Sequence, residues 1–141
     1  FMNPHLEITD DNLLAMEAFA KTNDDPIVMV NLMQLRPNTE YEDPTLNDCT
    51  ALEAFTRYTS GSAAVREEVG AELMWSGKAV QMPIGPTEKI WDMVALVRYP
   101  SASAYLTMRA TEAYQAARVH RRAALYDSRL IMTSQSFPGT D

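Results

Sequence analysis

An α+β fold built on one β-α-β-β-α-β unit is predicted here, on three observations. Two apolar runs, Ile27 to Leu35 and Trp91 to Tyr99, are nearly continuous and rich in β-branched residues, the pattern of strands buried on both faces. Two longer segments, about Leu52 to Val69 and Ser101 to Tyr126, carry apolar residues at helical spacing. Each helical segment is followed by a further strand-like run, Ala71 to Val80 and Arg129 to Gln135. From residue 26 onward the order is therefore strand, helix, strand, strand, helix, strand.

The elements follow in chain order. Asp10 or Asp11 is expected to cap a helix that runs to about Thr22, and Asn23-Asp24-Asp25-Pro26 stops it. Ile27 to Leu35 is the first core strand. Residues 36–50 are rich in Pro, Asn and Asp and longer than an ordinary connection, so they form a functional flap or a mobile excursion. In the next helix Leu52, Phe55, Tyr58, Ser62, Val65 and Val69 share a face, and Gly70 ends it. The strand Ala71 to Val80 is expected to bulge at Gly77. Pro100 closes the Trp91 strand, and Ser101 caps a helical region expected to break near Thr111. Asp127-Ser128 is read as a turn before the last strand, and residues 136–141 as a frayed tail.

Two βαβ halves joined by an antiparallel pair give a ferredoxin-like βαββαβ sandwich with an extra N-terminal helix. The expected division is an N-terminal extension (residues 1–25), the sandwich (26–136) and a tail (137–141). Helices cover only one face of such a sheet. The two apolar strands would leave an exposed apolar patch on the other face. Pairing two sheets about a two-fold axis removes it, so a homodimer forming an α+β barrel is expected.

The chain has 141 residues, twelve basic against nineteen acidic, for a net charge of −7. A nucleic-acid or anionic-membrane partner normally needs a basic surplus or stripe. Arg118, Arg121 and Arg122 form the only basic cluster, so neither partner is expected. Cys49 is the only cysteine, which rules out an intrachain disulfide and a Cys ligand cluster and suits a cytoplasmic location. No apolar run reaches the length of a membrane span, and no charged-then-apolar leader is expected. Nine methionines read as flexible core filler. The five glycines are too scattered for a phosphate loop, and no nucleophile elbow occurs. No metal and no cofactor is expected.

The candidate site residues are polar groups in apolar surroundings. Asn31 lies on the side of Ile27, Met29 and Met33 in its strand. Its amide would orient a ligand carbonyl or tie down a neighbouring loop. Arg98 lies on the side of Asp92, Val94 and Leu96 and would clamp a carboxylate or pair with Asp92 or Glu72. His120 has the side chain best suited to shuttle a proton at neutral pH, though no second histidine stands at ligand spacing. Tyr58, Tyr105 and Trp91 would pack the body of a ligand or serve as plain core. The Arg118, Arg121, Arg122 cluster would bind an anion or form a solvated helix face.

The strand Pro26 to Met33, Tyr58, Trp91-Asp92, Arg98-Tyr99-Pro100-Ser101 and Tyr114 with His120-Arg121 together resemble the bacterial domain-of-unknown-function family 1330. The resemblance spans roughly residues 26 to 135. It implies a dimeric α+β barrel of ferredoxin-like protomers and no established activity. The helix over residues 10–22 and the loop 36–50 look like additions to the shortest members. Barrels of this fold include cofactor-independent monooxygenases, haem-degrading enzymes, isomerases and lactone-forming enzymes, an analogy of fold alone.

The reading that follows is a small-molecule-binding dimer, with an enzymatic role left open. Its pocket would lie between sheet and helices, with His120 and Arg98 as catalytic candidates and Asn31, Tyr58, Trp91 and Tyr105 as ligand-binding candidates. The alternative is a non-catalytic interaction or sensing module, which a pocket packed shut by its own aromatics would favour. A haem-binding or haem-degrading protein using Asn31, Trp91 and His120 is the third reading.

Overall fold

The computed structural model describes residues 5–88 and 90–139. Residues 1–4 and 140–141, the outer ends of the expected extensions, lie outside the described residues. Helix α1 (Asp10–Thr22) leads into strand β1 (Ile27–Leu35), then α2 (Ala51–Glu68), β2 (Glu72–Lys78), β3 (Met93–Tyr99), α3 (Ala102–Arg109), α4 (Glu112–Ala124) and β4 (Leu125–Thr133). The four strands form one antiparallel sheet in the order β2-β3-β1-β4. That order, with a helix after β1 and helices after β3, is the ferredoxin-like α+β arrangement.

Side-chain oxygens set the helix starts. Thr9, rather than Asp10 or Asp11, caps α1 by accepting from Asn12 N, and the two aspartates fall in the first turn, where they favour the positive end of the helix dipole. Thr50 and Glu53 form a reciprocal capping box on α2. Ser101 caps α3 as expected. Thr111 caps α4, which explains the break between the two helices.

Register fixes what each face holds. Ile27, Met29, Asn31 and Met33 of β1 stand opposite Tyr99, Val97, Ala95 and Met93 of β3. Ile27, Met29 and Tyr99 are buried with Tyr105, Met108 and Tyr114 of α3 and α4, so this face meets the helices. Val28, Val30 and Leu32 turn the other way, together with Leu96, Val94 and Ile131. On that outer face Trp75 is 54% exposed and Ile131 48%.

Two local expectations change. The irregularity in β2 falls between Leu73 and Trp75, not at Gly77. Gly77 matters for another reason: the Trp75 indole lies over it, and a Cβ there would stand 2.4 Å from Trp75 Cη2. Asp127 and Ser128 are no turn but a buried part of β4. The N-terminal segment accounts for them, because His5 N donates to Asp127 Oδ1 and Ser128 Oγ donates to His5 O.

Candidate functional site

Between the sheet's inner face and the helices lies a partly open cavity of about 1360 Å³. Its floor is β1 and β3, with Asn31 and Ala95 opposite each other at the centre. Tyr58 of α2, Tyr105 of α3 and Tyr114 of α4 stand over it. Six of the nine methionines (Met16, Met29, Met33, Met93, Met108 and Met132) line its walls. Methionine is flexible and polarisable, so such a wall adapts to apolar bodies of varied shape.

The polar groups in it are few and constrained. Asn31 Nδ2 donates to Met29 O at 3.3 Å and reaches Ala95 O at 3.5 Å, which leaves the amide oxygen as an acceptor. The Tyr58 and Tyr114 hydroxyls are 3.2 Å apart. One hydrogen fills that bond, so the pair keeps a second O–H to offer. Burial raises the Tyr58 and Tyr99 hydroxyls far above the ordinary phenol range, and pushes Tyr105 up to about 12. All three therefore keep their protons at neutral pH and act as donors, not as bases.

Of the six residues expected at the site, Asn31, Tyr58 and Tyr105 line this cavity. Arg98, His120 and Trp91 do not. Arg98 stands opposite Val28 and Glu72, on the sheet face turned away from the helices. Asn31 lies three residues from Val28, and strand alternation puts the two on opposite faces. Trp91 precedes β3, and its ring lies under the Arg129 guanidinium at 5.4 Å from the centroid. His120 occupies the outer side of α4, where the Tyr41 hydroxyl meets its Nδ1 at 2.7 Å. The loop 36–50 is packed there too: Arg36 N and Glu40 N donate to the carbonyls of Ala124 and Ala123. No residue of that loop lines the cavity.

His120, which the loop residue Tyr41 touches, makes stability pH-dependent. Partial burial, then the charge of Arg57, hold His120 below its ordinary value of 6.5. The unfolded chain therefore takes up this proton first, and the contribution to stability is complete above about pH 6.5. It is lost as pH falls toward the lower folded value. In a melting series from about pH 7 to 5, wild type is expected to lose more stability than His120→Gln. Parallel profiles for the two proteins would contradict this.

The chain matches the domain of unknown function DUF1330 over residues 45–134. It belongs to that family. Two crystal structures of RPA0582, a protein of unknown function from Rhodopseudomonas palustris, match nearly the whole chain. The methylated form is 35% identical with a TM-score of 0.89, covering 99% of this chain and 100% of its own. The other is 34% identical with a TM-score of 0.88, covering 96% and 100%. A mutant of SnoaB, a cofactor-independent oxygenase from Streptomyces nogalater, is 14% identical with a TM-score of 0.53, covering 82% of this chain and 99% of its own. At that identity the likeness is one of fold. Among curated proteins none matches.

Within this DUF1330 protein the site holds more charge than its sequence suggested. Arg66, Arg109, Arg118 and Arg121 all line the cavity. A signal for Arg121 was present: it follows Tyr114 and Ala117 at steps of three and four and precedes Ala124, all three buried. An arginine on a buried stripe faces inward. Among the described residues no three His, Cys, Asp or Glu side chains are grouped to hold a metal ion, and no helix is long and apolar enough to cross a membrane.

Proposed function

We propose that this DUF1330 protein is a homodimer that binds a small organic molecule between its sheet and helices. The observation that carries the proposal is the cavity itself: large, walled by methionines, with an amide acceptor at Asn31 and hydroxyl donors at Tyr58, Tyr105 and Tyr114. Apolar walls with a few convergent polar groups are the usual form of a ligand site. An open cavity favours this reading over an interaction module packed shut by its own aromatics. The dimer is supported by the apolar outer face of the sheet, where Val30, Leu32, Val94, Leu96 and Ile131 gather.

In this reading Asn31 accepts from a ligand N–H or O–H, the tyrosines donate to its oxygens, and the methionines hold its body. Reaction on such a ligand without a bound cofactor is the enzymatic form of the proposal, and SnoaB illustrates that the fold accommodates it. A thermal-shift screen of small organic compounds against wild type, Asn31→Ala and Tyr58→Phe tests the binding. Compounds are expected that raise the wild-type melting temperature by several degrees and lose much of that shift in both variants. Hits that shift all three proteins equally would count against the site.

A further inference from the structure

Three arginines of the cavity wall have no carboxylate partner among the described residues: Arg66 of α2, Arg109 of α3 and Arg121 of α4. Two are held in place by neutral groups. Arg66 donates through Nη2 to Thr59 O at 2.7 Å and through Nε to Ser62 Oγ at 3.1 Å. Arg121 donates through Nη1 to Leu6 O at 2.9 Å. These contacts orient the guanidinium groups without neutralising them, and each keeps further N–H donors unused. Arg109 and Arg121 line the same cavity as Tyr105, and the charges of both favour the ionised form of that phenol against its burial. Tyr105 stacks edge-on against Tyr99 at 5.2 Å between centroids, and the charge of Arg66 acts on Tyr99. The three cations thus line one cavity from three helices, together with its tyrosines.

The contrast with the rest of the molecule is large. The chain carries a net charge of −7, yet Arg66, Arg109, Arg118 and Arg121 line the cavity with Glu7, while Arg129 at its edge is already paired with Asp127 at 2.7 Å. Glu7 is matched by Arg118 at 3.3 Å and Arg122 at 3.0 Å. Unneutralised cations beside an apolar space are unfavourable unless an anion joins them. Planar guanidinium forks fit the two oxygens of a carboxylate.

We infer that the ligand is an amphipathic organic anion, with its apolar body against the methionines and its carboxylate head held by Arg109 and Arg121. This rests on the cavity reading proposed above and adds the ligand's charge. The test compares two dyes of nearly equal shape, the anion 8-anilinonaphthalene-1-sulfonate and the neutral 1-anilinonaphthalene, by fluorescence titration. The sulfonate stands in for the carboxylate. Wild type is expected to prefer the anion by about tenfold or more, the effect of one or two charge-assisted hydrogen bonds. Arg109→Met and Arg121→Met should each remove most of that preference and leave the neutral dye unchanged. Arg121→Lys, which keeps the charge, should retain part of it. Arg98→Met, on the far sheet face, should change neither dye. Equal affinity for the two dyes, or equal loss of both in the arginine variants, would overturn the anion inference. Neutral-dye binding that Ala95→Trp abolishes would still uphold the cavity in that case. Dye binding untouched by Ala95→Trp, or no binding of either dye, would overturn the cavity reading and this inference with it.

Discussion

Leu96→Asp is expected to turn the protein from a dimer into a monomer. Leu96 stands opposite Val30 on the outer face of the sheet, flanked by Trp75 and, across β1, by Ile131. In a sheet-to-sheet dimer the two-fold axis sets this patch against its own copy, so each aspartate meets apolar surface and stands near a like charge. A buried unpaired carboxylate costs several kcal/mol, enough to raise the dimer dissociation constant by about a hundredfold or more. The exposed face of a lone protomer tolerates the change, so the fold should persist. Sedimentation velocity of wild type and variant reads the outcome directly. A monomeric wild type, or a variant that remains dimeric at the same concentration, would remove the sheet-to-sheet arrangement.

Filling the cavity is expected to have an equally large effect on binding with little effect on the fold. Ala95 lies opposite Asn31 at the centre of the cavity floor. A tryptophan there extends into open space and meets methionines that can move aside, unlike a substitution into a packed core. Ala95→Trp should therefore melt within a few degrees of wild type and lose ligand affinity by about a hundredfold. A variant that binds the screened compounds as wild type does would place their site elsewhere. A variant that fails to fold would show that the cavity is narrower in solution than its walls suggest.

The fold was legible because its strongest signals are local. Pro26 and the run after it set β1 at Ile27–Leu35, the range expected from sequence. The cap at Thr111 divides two helices where the pattern weakened. Strand parity also placed Asn31 beside Met29 and Met33, and Arg98 beside Val94 and Leu96, as observed. What parity could not give is which of those faces meets the helices. Strands apolar on both sides carry no inward label, and only the Val28 to Arg98 register separates Arg98 from the cavity. His120 failed as a pocket residue for a related reason: its role depends on Tyr41, 79 residues away in a loop with no periodicity. Asp127 and Ser128 read as a turn because they are polar, and only the distant backbone of His5 allows them to lie buried in a strand. Of the cationic wall, Arg118 and Arg121 stood in the cluster read from sequence as an anion site or a solvated helix face. Arg66 and Arg109 were missed, although they follow cavity tyrosines by eight and four residues on their own helices.

A crystal structure grown with 8-anilinonaphthalene-1-sulfonate would show whether the cavity between sheet and helices is the ligand site. The dye is expected between sheet and helices, its rings against Met29, Met33 and Met108, its sulfonate at Arg109 and Arg121, and Asn31 beneath it. Dye bound on the outer sheet face or on a helix surface, with only water between Asn31 and Tyr58, would contradict this placement.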